Sequence, residues 1–184
     1  MKKIMILMMC LMMCACSNET VNPNNDQDIN ACDVLNPCDT TLSSADENLK
    51  WEKISLLESL DYAKGTVILF YSFTDCPYCI EARPILEEVL EGSDIPVYYV
   101  DVAREERNVD NENYLAVYNH FKDIIEGQGY DKIYMPSVFF IKDGEVLGMH
   151  VGTVDNHNPK EAHMNETQVA ELSTIYTNYY NNIK

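Results

Sequence analysis

Residues 66–90 set three patterns end to end, and few folds accept that order. Thr66-Val67-Ile68-Leu69-Phe70-Tyr71 is a near-continuous apolar run, as strands buried on both sides of a parallel sheet show. It predicts a strand over 66–73. Phe73-Thr74-Asp75-Cys76-Pro77-Tyr78-Cys79 follows, and helical spacing then runs from Ile80 to Leu90. Strand, turn, Cys-x-x-Cys and helix together point to thiol redox chemistry. A helix start offers unpaired N–H groups and a positive dipole end, which favour a thiolate at Cys76. Pro77 suits the first turn, where a missing N–H costs nothing. Cys79, one turn further on, can reach back to resolve a mixed disulfide.

This stretch resembles the active site of the thioredoxin superfamily, and the likeness extends over roughly residues 66–152. Pro84, five residues after Cys79, is similar to the proline that kinks the family's active-site helix. Met135-Pro136-Ser137-Val138-Phe139-Phe140-Ile141-Lys142-Asp143-Gly144-Glu145-Val146 resembles the cis-proline strand and its hairpin, and Gly152 falls where the family has a glycine. Cys-Pro-Tyr-Cys, with Trp51 upstream, looks most like the accessory thioredoxin-like proteins found with bacteriocin export systems. The resemblance implies Cys76 as nucleophile and Cys79 as resolving thiol. It also implies a cis bond before Pro136, with Met135 and Pro136 holding the backbone of an extended substrate. Phe73 and Tyr78 line the approach. There are departures. Phe70 stands where the family carries a buried Asp, Asp75 where it carries a Trp, and the strand 97–102 supplies no Lys. The family's buried proton relay to the second cysteine is therefore missing. Asp75 is expected to oppose the helix dipole at Cys76 by like-charge repulsion.

The chain of 184 residues is long enough for one domain with a full core, and its formal charge is −17. So acidic a surface argues against nucleic acid as a partner, because phosphate contacts need clustered Lys and Arg. Met1-Lys2-Lys3 and the apolar run Ile4–Met13 read as a signal peptide over 1–15, too short to span a bilayer. Met13-Cys14-Ala15-Cys16 resembles a bacterial lipobox with Cys16 as lipid acceptor; Cys14 is the weaker acceptor candidate. An ordinary signal peptide is the other reading. Lipidation predicts an extracytoplasmic domain anchored to a bacterial membrane, a compartment that permits disulfides. Residues 16–45 read as the lipidated cysteine and a flexible linker, poor in large apolar side chains. Within it, Cys32 and Cys38 form either a local disulfide around Asn36-Pro37 or a second redox pair.

Residues 46–184 form the expected thioredoxin-like domain, a central mixed sheet flanked by helices. Leu49, Leu56, Leu57 and Leu60, with Trp51 and Ile54 beside them, predict a helix over 46–62 capped by Asp46 or Ser44. Ile95–Val102 predicts a second buried strand, with Asp101 as a cap or a solvated acid in preference to a place near the active-site edge. Arg104-Glu105-Glu106-Arg107 reads as a solvated loop. Tyr114, Val117, Tyr118, Phe121, Ile124 and Ile125 mark a helix that Gly127 ends. Extra length between Asp101 and Tyr130 suits either a substrate surface or padding. Asp143-Gly144 predicts a hairpin between 137–142 and 145–151. His150, His157 and His163 share no ligand spacing and read as scattered loop residues. Val169, Leu172, Tyr176, Tyr179 and Ile183 mark a closing helix.

The expected reaction is thiol–disulfide exchange on cysteine-containing exported proteins or peptides. No metal, nucleotide or flavin site is expected, so the redox group is the Cys76–Cys79 disulfide and electrons come from a partner redox protein. Reductase, oxidase and isomerase share this architecture. Two other classes remain: a non-catalytic peptide-binding or chaperone lipoprotein, and a metal module of Cys76, Cys79 and histidines.

Overall fold

The computed structural model describes residues 44–184. The signal peptide, Cys16, Cys32, Cys38 and nearly all of the linker lie outside the described residues.

The buried run at 66–73 becomes β2 (Val67–Ser72), and every one of its side chains is buried. Two strands run parallel to it on one side: β3 (Val97–Asp101), and then β1 (Glu52–Ser55) at the edge. On the other side β4 (Ser137–Lys142) runs antiparallel, followed by β5 (Glu145–Val151). The five-stranded order is β1-β3-β2-β4-β5. Asp143 and Gly144 both take positive φ, 52° and 84°, as the expected tight turn between β4 and β5 requires. Short α1 (Ser59–Tyr62) and α3 (Glu112–Gly127) cover one face of the sheet. Helices α2 (Pro77–Val89) and α4 (Glu166–Ile183) cover the other. This is a thioredoxin-like α/β fold, with a central mixed sheet flanked by helices.

Period-two alternation along β2 feeds two separate cores. Val67, Leu69 and Tyr71 pack toward α3 with Val117, Phe121 and Phe139. Ile68 and Phe70 pack toward α2 and α4 with Cys79, Leu86, Phe140, Leu172 and Tyr176.

The helix expected over 46–62 forms only as its last turn, α1. Residues 52–55 instead add β1 to the free edge of β3, with Ile54 opposite Val100. The apolar residues that resembled one helical stripe divide between the two faces. Leu49 and Trp51 join the α2/α4 core, Ile54, Leu56 and Leu60 join the α3 core, and Leu57 is exposed. The element order therefore opens with a strand. Asp46 caps nothing. Its carboxylate lies 2.7 Å from Lys53 Nζ, which also meets Asp101 at 3.1 Å. Asp101 is thus neither a cap nor free in solvent.

Two smaller differences follow. Residues Arg104–Arg107 form a 3₁₀ turn rather than an open loop. Gly127 is the last residue inside α3, and Gly129, at φ 86°, takes the left-handed position beyond it. Asn111 caps α3 by accepting the Asn113 and Tyr114 N–H groups, and Asn165 caps α4 by accepting that of Gln168.

Candidate active site

The parallel pair β2 and β3 ends on the same side of the sheet, and the redox loop leaves β2 there. Val102 N–H reaches Ser72 C=O at 2.9 Å, so the exit of β3 flanks the loop. The antiparallel pairing of Tyr71 with Ser137 brings the segment before β4 to the loop's other side. That segment is Met135-Pro136, and the bond between them is cis. Pro136 is buried, and Met135 packs against both cores.

Cys76 is the N-cap of α2, and Pro77 opens its first turn. Cys76 and Cys79 are joined in a disulfide. Cys79 N–H points at Cys76 Sγ, 3.2 Å away, and Cys76 N–H donates to Phe73 C=O at 3.1 Å. An N–H donor aimed at sulfur supports the anion that forms when the disulfide opens. Cys79 is fully buried and Cys76 only 2% exposed. Phe73 and Tyr78, half-buried, pack against the cluster that contains both sulfurs. Phe70 is fully buried, with Trp51 at 5.6 Å and Tyr99 at 6.0 Å between ring centres. Burial pushes the Tyr99 phenol up to about 12, although its bond to Ser72 Oγ opposes this.

The sequence reading missed three neighbours. Ala45 is fully buried in the cysteine cluster, and its N–H donates to Thr74 C=O at 2.6 Å. The segment is tied further in through Glu47 C=O, which accepts from Arg83 Nη2 at 2.7 Å. Arg107 stacks on Phe73, with Cζ 4.0 Å from the ring centre.

The third is His157, which is not a loose loop residue. It is buried and lies edge-on to Tyr78, 6.3 Å between ring centres. Its Nε2–H donates to Ala162 C=O at 3.1 Å, and Thr153 hydroxyl donates to Nδ1 at 2.7 Å. His150 Nε2–H donates to Thr153 C=O, while His163 pairs with Glu81 of α2. The histidine loop is thereby stitched to the redox helix. The bonds within the loop are local, but the contacts of His157 with Tyr78 and of His163 with Glu81 join residues about 80 positions apart, which no local spacing marks. Among the described residues no group of three or more His, Cys, Asp or Glu could hold a metal ion. No described helix is long and apolar enough to cross a membrane.

No family model matches the chain, and no curated protein matches it. Among solved structures it is similar to a thioredoxin from Aeropyrum pernix, at 21% identity over 54% of this chain and 73% of that one, TM-score 0.37. It is similar to mitochondrial thioredoxin 3 from Saccharomyces cerevisiae in its oxidized form, at 19% identity over 59% and 86%, TM-score 0.35. A Malassezia sympodialis thioredoxin gives 20% identity over 69% and 91%, TM-score 0.36. At these values the likeness adds nothing about activity. The arrangement itself, a disulfide closed across the first turn of a helix, is chemically competent for thiol–disulfide exchange.

Proposed function

We propose that this protein is an extracytoplasmic, membrane-tethered thiol–disulfide oxidoreductase acting on cysteine-containing exported proteins or peptides. The observation that carries the reading is the Cys76–Cys79 disulfide at the start of α2, with Cys79 N–H directed at Cys76 Sγ. A client thiolate attacks Cys76 Sγ, the disulfide opens, and Cys79 leaves as thiolate. In the reverse direction, Cys76 thiolate attacks a client disulfide and Cys79 resolves the mixed disulfide. Met135 and Pro136 bind the client backbone, and Phe73 and Tyr78 line its approach. With Phe70 in place of an acid, the proton for Cys79 comes from solvent or client rather than from a buried carboxylate. The Cys76–Cys79 pair is the redox group, with no further cofactor, and a separate redox protein resets it.

Tethering rests on the lipobox-like Met13-Cys14-Ala15-Cys16, with lipid on Cys16. Cys32 and Cys38 serve as a local disulfide. The Cys-Pro-Tyr-Cys sequence further suggests kinship with bacteriocin-export accessory proteins. Mass spectrometry of the mature N-terminus in a bacterial host tests the anchor: a diacylated Cys16 supports it, and a mature chain without lipid sinks it.

The central test is equilibration of the protein in glutathione buffers, followed by fluorescence of Trp51, the single tryptophan, which packs on Phe70 in the cysteine cluster. A reduction potential near about −270 mV identifies a reductase, and about −120 to −180 mV an oxidase or isomerase. A pair that does not cycle refutes the enzyme. A second reading, a non-catalytic peptide-binding lipoprotein, draws on the 2% exposure of Cys76. Client binding that survives unchanged in Cys76→Ser, without any exchange activity in the parent, supports that reading.

A further inference from the structure

The chain has 30 acidic residues against 13 Lys and Arg. In such a chain, a guanidinium left without a carboxylate beside the redox loop calls for an explanation. Arg107 closes the 3₁₀ turn after β3 and is half-buried on Phe73, three residues before Cys76. It makes no ion pair with any described residue, and its Nε is buried without a hydrogen-bond partner. The acids of its own turn, of the redox loop and of the segment before β4 do not neutralise it. Glu106 is engaged with Ala103 N–H and Asn113 Nδ2, at 3.3 and 2.7 Å. Asp131 accepts from Tyr134 hydroxyl at 3.1 Å. Glu105, Asp110 and Asp75 are exposed, and none is within ion-pair distance of Arg107.

Lys132 repeats this arrangement on the other flank. Its Nζ sits 4.8 Å over the ring of exposed Tyr134, two residues before Pro136, and it too has no carboxylate partner among the described residues. The two flanks meet at the first turn of α3. Ile133 N–H donates to Tyr114 hydroxyl at 2.8 Å, and Asn113 holds Glu106 of the 3₁₀ turn. Two aromatic-backed cations thus stand by the two segments proposed to handle the client.

We infer that Arg107, with Lys132 as a weaker second cation, is a specificity-determining site for a carboxylate that the client carries close to its reactive cysteine. This rests on the exchange reaction proposed above. A guanidinium fork matches a planar carboxylate, and an aromatic face at its back holds it in place. Half-burial reduces screening of the pair relative to a fully exposed one.

Three small disulfides of similar length separate this from a general effect on the thiols: 3,3′-dithiodipropionate (dianion), bis(2-hydroxyethyl) disulfide (neutral) and cystamine (dication). In each reaction Cys76 thiolate attacks one sulfur of the probe and releases one thiolate. Cys79 thiolate then attacks Cys76 Sγ and releases the second. The protein dithiol is oxidised by two electrons and the probe disulfide is reduced to two thiols.

The readout is the rate ratio of dianion to neutral probe for the reduced full chain. Arg107→Gln is expected to lower that ratio about tenfold, the value of one charge-assisted hydrogen bond. Arg107→Lys is expected to retain part of it, Arg107→Glu to favour cystamine, and Lys132→Gln to lower the ratio less than Arg107→Gln. A ratio unchanged in Arg107→Gln overturns the inference, whether all three rates stay the same or fall together; the latter would place Arg107's effect on the Cys76 thiolate instead. Failure of the parent protein to react with any probe overturns the exchange reading, and this inference with it.

Discussion

The two faces of the sheet are built from the same strands but closed to different degrees. On the α3 face the buried Tyr71 hydroxyl is satisfied. Tyr71, fully buried, donates to Ser59 Oγ at 2.7 Å, and Ser59 in turn donates to Leu56 C=O at 2.6 Å. On the α2/α4 face Tyr176 is equally buried, yet its hydroxyl has no hydrogen-bond partner. The same face holds both cysteines and the buried Phe70. The difference teaches that one face closes its buried hydroxyls fully, while the face that holds the Cys76–Cys79 disulfide leaves one open. The α3 face, whose core contains neither cysteine, is expected to contribute stability irrespective of redox state. On the α2/α4 face, which packs around both cysteines, stability is expected to depend on redox state.

The largest expected effect tests the supporting face. Phe121 stacks on Phe139 at 4.4 Å between ring centres and is 2% exposed. Phe121→Ala is expected to cost about 3–5 kcal/mol in urea denaturation. Oxidised and reduced protein lose the same amount, so the reduction potential shifts by less than about 10 mV. A larger shift would break the division between the faces. On the other side, a Cβ at Gly148 would lie 2.1 Å from Tyr179 Cδ1, whose ring stacks on Phe140. Gly148→Ala is expected to cost about 1–3 kcal/mol through overpacking, and unequally in the two redox states.

A pair of single-atom changes sharpens the contrast. Tyr71→Phe removes a hydrogen bond that the supporting face makes and is expected to cost about 1 kcal/mol. Tyr176→Phe removes a hydroxyl without a partner and is expected to leave stability unchanged or raise it. Equal losses in both would mean that Tyr176 does find a partner in solution.

The smallest effect is with pH. Burial holds the His150 imidazole below its ordinary 6.5, although its bond to Thr153 and the charge of Asp155 oppose this. As pH falls below 6.5 the unfolded chain takes up this proton before the folded one. The unfolded state then binds more protons, and stability declines through that window. His150→Gln is expected to flatten the decline in the urea midpoint between pH 7 and pH 5.

Much of this was legible in the chain. The strand 67–72 shows as a continuous apolar run because both of its faces are covered, and Asp143-Gly144 shows the hairpin because few other residues accept two positive φ values. Cys76, Pro77 and Cys79 mark a helix start by type and spacing alone. The first strand was not legible, for a physical reason. β1 buries only Ile54 among its residues, so local pattern is weak there. Long-range pairing with β3 decides its conformation. A helical period emerged from 46–62 only because residues bound for opposite faces of the sheet happened to fall three and four apart. Arg107 and His157 read as loop residues and Ala45 as linker for the same reason, since what matters about each is a neighbour distant in sequence.

The ion pairs of Lys53 have a consequence for how these molecules meet one another. A sheet of this kind ends in strands with unpaired backbone groups, a template on which further chains can add. β1 is only four residues long, and it places Glu52 and Lys53 in succession at that border. Lys53 ties Asp46 and Asp101 together at the same border. A second strand docking there would have to desolvate these charges for at most a short run of hydrogen bonds. The edge is thereby insulated against edge-to-edge growth.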